Sequence, residues 1–237
     1  MRNIKAILKK ELNYFFNSPM AYIFLITFCL INGYFFSKLF FLNNQSNLRV
    51  LFNNISLVYL FFIPAITMGL IAREKSTGTI EIISTLPIHD WEFIIGKYLS
   101  TLVLIFVALL FTCVHFFTLL YFGTNIDLGA IFCGYIGLFL VGAFYAAIGL
   151  FASSLTDNQV IGFIVAISIV IFFFLMGQLL ILVPSYISPL IQYLSVDYHF
   201  SNISRGVIDT RNLIYFGSMI TTFLLFSIRV LEMRRWK

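Results

Sequence analysis

Charged and apolar positions divide this chain into long blocks. Residues 12–37, 50–72, 98–126, 128–156, 158–196 and 212–228 contain no Asp, Glu, Lys or Arg. About 20 apolar residues in a helix cross the roughly 30 Å hydrocarbon layer of a bilayer, so each block can supply one crossing. The shortest, 212–228, lies between Arg211 and Arg229, whose aliphatic stems let their charges reach the head groups. The pattern predicts spans at 20–42, 50–72, 97–122, 129–152, 159–182 and 212–231. Short links near 43–49 and 123–128 make hairpins of the spans they join. The expected fold class is an all-α integral membrane protein with six transmembrane helices, forming one domain over 1–237.

Ahead of the first block the pattern takes a helical period. Ile4, Ile7, Leu8, Leu12 and Phe15 share one side of a wheel, while Lys5, Lys9, Lys10, Asn13 and Asn17 fall elsewhere. This predicts an amphipathic helix over 1–18 lying in the membrane interface, its apolar face toward the lipid. Ser18-Pro19 ends it, and the chain turns into the bilayer at Met20. The first apolar block is too long for the core of a cleavable signal, so the N-terminus is expected to be retained.

Two further patterns stand out. Gly142, Ala146, Gly149 and Ser153 form a small-residue stripe that lets helices approach closely. Residues 183–211 are too long for a turn yet rich in aromatic and aliphatic side chains. Pro184 and Pro189 would divide them into short helices at the outer membrane face. Tyr186, Ile187, Leu190, Ile191, Tyr193, Leu194, Tyr198 and Phe200 would each gain roughly 1.5–3 kcal/mol from burial, so the segment is expected to pack against the spans. Arg205 and Asp209, four apart, would pair on one helical face and are the candidate outer gate.

Composition agrees with a membrane protein: 60% of residues are apolar and 11% charged, against about 25% charged in soluble domains. Cytoplasmic loops are enriched in Lys and Arg, and with the N-terminus inside, eleven of the 15 basic residues fall on the inner side. The other four are Lys38, Arg49, Arg205 and Arg211. Both termini are therefore expected in the cytoplasm. The net charge of +5 follows from that asymmetry and calls for no nucleic-acid partner.

Catalytic signatures are missing. Cys29, Cys113 and Cys133 lie inside apolar blocks without metal or redox spacing. His89, His115 and His199 fall on the inner side, within the membrane and on the outer side, so they cannot share a metal. Gly96-Lys97-Tyr98 lacks the remainder of a phosphate-binding loop. His115 alone offers a polar catalytic group at membrane depth, and a neutral helix-to-helix hydrogen bond is its expected role. With no carboxylate inside a span, proton coupling is disfavoured. No catalytic residue, metal or bound cofactor is expected, and energy must come from a partner.

The stretch "AREKSTGTIEIISTLPIHDWEFIIGK", Ala72 to Lys97, interrupts the apolar blocks with charge. Thr79 to Leu86 can form two helical turns between Ser76-Thr77-Gly78 and Pro87, and Asp90 can cap the helix that runs into the third span. Ile80, Ile82, Ile83 and Leu86 would offer a partner an apolar surface, with Glu81 able to pair with one of its basic residues. This cytoplasmic segment, 73–96, resembles the permease subunits of type-2 ABC exporters in "REKSTGTIEIISTLP" and the following "GK". The likeness extends to the amphipathic N-terminal helix, the six spans and the longer outer segment. It implies that Thr79 to Leu86 is a coupling helix docking into a separate ABC ATPase subunit, with Glu74, Gly78, Thr79, Glu81 and Pro87 in the contact. ATP and Mg would sit on that partner, and the permease would pair with itself or with a homologue.

"YHFSNISRGVIDTRNLIYF" and "LEMRRW" further resemble the GldF family of gliding-motility-associated permeases in Bacteroidota, which implies an auxiliary membrane protein in the complex. Two alternatives from other classes remain: an integral membrane scaffold or assembly factor without transport activity, and an intramembrane enzyme using His115.

Overall fold

The computed structural model describes residues 2–42, 48–123, 126–180, 184, 186–207 and 209–234. Parts of the links near 43–49 and 123–128, the positions 181–183, and Arg235 and Lys237 lie outside the described residues. Among those described, every regular element is a helix. Six are long and apolar enough to cross a membrane: Pro19–Ser37, Arg49–Ser76, Asp90–Phe122, Leu128–Leu155, Gln159–Leu179 and Thr210–Met233.

The first helix, α1 (Arg2–Asn17), stops at Ser18, whose backbone is extended, and Pro19 opens α2 (Pro19–Ser37) at the position where a missing N–H costs nothing. A π-helical turn, Lys38–Leu42, follows. Pro64 lies inside α3 (Arg49–Thr67), and the chain leaves the helix one turn later, passing through residues 68–71 before α4 (Ala72–Ser76). Gly78, with φ of +70°, reverses the backbone where a side chain would be strained. The short α5 (Thr79–Ser84) comes next.

At 33 residues, α6 (Asp90–Phe122) is about 50 Å long, so it outruns the hydrocarbon layer. Its first residue is Asp90, and the cap position falls instead on His89. There the backbone is extended, and the Glu92 carboxylate accepts from the His89 N–H at 3.2 Å. Asp90 therefore acts as an acid in the first turn, favoured by the helix dipole, rather than as the cap.

The centre of the bundle is α7 (Leu128–Leu155), in which all ten residues from Val141 to Leu150 are buried. An apolar helix enclosed on every side is a core helix, and α7 packs against α3, α6, α8 (Gln159–Leu179) and α11 (Thr210–Arg234). Its small residues make that possible. A Cβ on Gly149 would overlap Thr67 Oγ1, and one on Gly134 would overlap the Phe52 ring.

After α8 come α9 (Ser188–Leu194) and α10 (Val196–Ile203), and here the packing departs from the sequence expectation. No residue of α9 is buried, and Tyr186, Leu190 and Tyr193 are exposed. Apolar residues on all sides of so short a helix cannot face one core together. The anchoring is done by α10, whose Val196, Phe200 and Ile203 recur at helical spacing and, with His199, are buried. Arg205 and Asp209 do not share a helical face either. Residues 204–206 form a turn, Gly206 has φ of +91°, and Asp209 accepts from the Arg211 N–H at 2.9 Å, capping α11. Among the described residues no ion pair joins Arg205 to Asp209.

Candidate functional site

Between the second and third long helices the charged stretch folds over the end of the bundle that carries α1. The underside of α1 is formed by Ile7, Glu11 and Phe15, spaced four apart and all buried. They lie against the first turns of α6, where a Cβ on Gly96 would come within 2.7 Å of Ile7 Cγ2. The apolar face of α1 is thus spent largely on protein. Leu8 and Leu12 on its flank are half-buried, while Lys5 and Lys9 are exposed.

This packing encloses two carboxylates and an ammonium. Lys97, on α6 and fully buried, places Nζ 2.8 Å from Glu11 Oε1 and 3.0 Å from Glu74 Oε2. Lys10 reaches Glu74 Oε1 at 2.6 Å from the edge of the cluster and lies 3.7 Å from Glu11 Oε1. The Lys97 ammonium also sits 4.9 Å from the centre of the Phe93 ring. Two anions and two cations balance, as they must where isolated charges would cost several kcal/mol each. The group ties three elements together: α1 through Lys10 and Glu11, α4 through Glu74, and α6 through Lys97.

Weaker ties surround it. The Arg73 guanidinium stacks 3.6 Å from the centre of the Tyr14 ring. Asn3 donates to Glu92 Oε2 at 2.9 Å. On the other side, the end of α7 holds the same stretch. Ser153 Oγ accepts from the Ile71 and Ala72 N–H groups, both at 3.0 Å, and donates to the Met68 carbonyl at 2.8 Å. It thereby satisfies backbone left over where the chain breaks between α3 and α4. Lys75 donates to the Ser154 carbonyl at 2.6 Å and lies 3.9 Å from Asp157.

Of the five residues expected at a partner contact, Glu74 is misplaced by that expectation. It is 4% exposed and faces inward between Lys10 and Lys97, because two cations converge on it. Thr79, Glu81 and Pro87 are exposed and Gly78 is half-buried. The apolar side chains of α5 and of the turn after it divide in the same way. Ile80 is buried, Ile83 is half-buried, and Ile82 (67% exposed) and Leu86 (49% exposed) face outward.

Glu11 was missed by sequence reasoning although a signal was present, a carboxylate in the middle of the apolar stripe of α1. Ser153 was read only as a small packing residue. The histidines lie apart. His115 Nδ1 is 3.1 Å from the Thr112 carbonyl of its own helix, and the contact with α2 is made by its ring against Phe36. Among the described residues His115 is joined to the neighbouring helix by ring packing, where a hydrogen bond between helices was expected. His199 stacks on Tyr215 with ring centres 4.0 Å apart and reaches the Tyr193 carbonyl and the Asn212 amide. Among the described residues no cluster of His, Cys, Asp and Glu could hold a metal.

A family model described as ABC-2 family transporter protein matches residues 5–232. No curated protein matches the chain.

Proposed function

The chain belongs to the ABC-2 transporter family, a multi-pass membrane transport component whose membership implies an ABC ATPase partner, and from that premise we propose that it couples ATP hydrolysis on the partner to export. The observation that carries the proposal is the mounting of α5. The short helix turns Glu81 and Ile82 outward, Leu86 follows outward in the turn after it, and the neighbouring chain is held by the buried pairs to Lys97 and by the Ser153 hydrogen bonds. An outward apolar face on a base tied down by buried contacts suits a docking lever for another protein.

On this reading α1, α4, α5 and the start of α6 lie on the cytoplasmic side of a bacterial inner membrane. Both termini are cytoplasmic, and ATP and Mg are bound by the partner. Two copies, or one copy and a homologue, form the pathway, with Arg205 and Asp209 near its outer side. Ser204 to Asp209, "SRGVID", and the closing "LEMRRW" favour a role in gliding motility, with an auxiliary membrane protein.

The test is co-purification with the ABC ATPase and the turnover that the complex supports. Glu81→Arg and Ile82→Asp should release the ATPase or uncouple its turnover while the chain still inserts and folds. Full binding and coupled turnover in both variants would refute the contact. A complex in which turnover never depends on the permease would favour the scaffold instead.

A further inference from the structure

Positions four apart divide α1 into rows, and the rows are graded in exposure. Ile7, Glu11 and Phe15 form the buried row that seats on α6. Beside it Ile4, Leu8, Leu12 and Phe16 are all half-buried, and the next row, opening with Lys5 and Lys9, is exposed throughout. Arg2 and Lys10 on the remaining row are exposed as well. Glu11, the single acid of the helix, is hidden and neutralised by Lys97. The outer side of α1 therefore carries four cations and no anion. Among the described residues only Lys10 of these four is drawn to carboxylates, those of Glu74 and Glu11.

The level of these cations follows from the ends of the apolar blocks. Glu11, Arg73, Lys97 and Asp157 each border a charge-free block of the sequence. The fold gathers those borders: Lys97 is 2.8 Å from Glu11 and 3.0 Å from Glu74, and Lys75 is 3.9 Å from Asp157. Four blocks thus end together at the edge of the hydrocarbon, and α2 enters it directly after α1, at Pro19. At 1.5 Å per residue, Lys9 and Lys5 lie at most about 3 Å and about 9 Å from that edge along the helix. Both are within the roughly 8–10 Å over which surface charge is felt in physiological salt.

We propose that this face of α1 binds the head groups of anionic phospholipids. An interfacial helix ordinarily gives its apolar side to the bilayer, but here most of that side is given to α6, so what remains to hold α1 to the membrane is charge. Four uncompensated cations call for an anionic partner. The half-buried row of Leu8, Leu12 and Phe16 beside Lys5 and Lys9 selects lipid as that partner. Lysine stems lie along apolar surface while their ammonium groups reach phosphate, whereas an acidic protein face would meet the lysines and leave the apolar row against polar groups. The binding stands independently of export.

The experiment uses the full chain in a mild detergent supplied with equal amounts of palmitoyl-oleoyl-phosphatidylglycerol and palmitoyl-oleoyl-phosphatidylcholine. The acyl chains are identical, so apolar binding to the spans cancels, and native mass spectrometry reads the head-group preference as the ratio of the two lipids retained. The wild type should prefer phosphatidylglycerol, and the preference should weaken as salt is raised. Lys5→Gln with Lys9→Gln should lower it by about fivefold per lysine, about 25-fold in all, while Lys5→Arg with Lys9→Arg should retain it. Arg229→Gln, which removes an exposed cation already bonded to Glu232 at 3.0 Å, should leave it unchanged. Equal retention of the two lipids by the wild type would overturn the proposal. So would a preference untouched by the glutamine variant. Carbodiimide cross-links from Lys5 or Lys9 to a co-purifying protein, with the head-group preference absent, would give the face to an acidic protein and overturn it too.

Discussion

Replacing Lys97 by Met keeps the length of the side chain and removes its charge, leaving Glu11 and Glu74 to face each other without it. The two carboxylates are not affected equally. Glu74 keeps Lys10 at 2.6 Å, whereas Glu11 keeps only a contact of 3.7 Å with the same half-exposed ammonium. Glu11 is 1% exposed, so bulk water cannot take the place of the lost ammonium, and its second oxygen, Oε2, has no hydrogen-bond partner among the described residues. Breaking one partner out of a buried pair costs about 3–5 kcal/mol. The cost should appear where the pair holds structure together, at the seat of α1 on α6.

At about 1.4 kcal/mol per factor of ten, local opening of α1 should become roughly two to three and a half decades more frequent. Hydrogen exchange of the α1 amides in the detergent-solubilised chain reads that change directly, with Lys5→Met, an exposed lysine on the same helix, as the unaffected control. The asymmetry supplies a sharper test. Glu11→Gln added to Lys97→Met should restore most of the lost protection, whereas Glu74→Gln should restore less because Glu74 still has Lys10. Unchanged α1 protection in Lys97→Met, or equal rescue by both amides, would refute the reasoning.

Other outcomes follow from the same contacts. Ser153→Ala should speed exchange across 68–76, because two buried N–H groups lose their acceptor at about 1–3 kcal/mol each, while Ser154→Ala, which leaves the Ser154 carbonyl to Lys75, should not. On the proposed topology, cysteines placed at Thr77 and at Tyr186, both exposed, should react with an impermeant thiol reagent from opposite sides of the membrane; labelling from one side would invalidate it. Burial holds the Asp197 carboxyl above its ordinary range. A carboxyl with a raised folded value binds its proton more readily in the folded state, so stability present in acid is lost as pH rises through that value. Thermal unfolding should therefore show α10 less firmly seated at about pH 8 than near about pH 4, and Asp197→Asn should flatten the difference. A profile identical to that of the unsubstituted chain would remove Asp197 from the account.

Six spanning helices were legible because a charge-free block is a local property. Arg49, Arg73, Lys97 and Asp127 mark block ends wherever their partners are. The break at Ser18-Pro19 and the reversal at Gly78 were legible for the same reason, since each is set by the backbone of one or two residues. The ion cluster was not. Lys97 and Glu11 are 86 positions apart, and no periodicity records a pair that only folding brings together. A resemblance in local motif carried Glu74 to a surface where its two cations do not allow it to be. The outer aromatic residues failed differently. Hydrophobicity says that Tyr186 and Leu190 should avoid water, but it does not choose between a protein neighbour and a lipid one.

Why charge is used beneath the lever follows from what apolar contact cannot do. Ile7 and Phe15 would tolerate sliding of α1 along α6, since dispersion is shared among many atoms and changes little with a small shift. An ammonium at 2.8 Å and 3.0 Å from two carboxylates on different elements admits one register. A buried ion pair adds little net stability over an apolar substitute of the same volume, so its contribution here is positional. It fixes where α4 leaves α3 and where α6 begins, and therefore where α5 points. On the permease reading, a push on Ile82 and Leu86 is then received by the base of α6 and by the end of α7, and α6, at about 50 Å, carries it along its whole length.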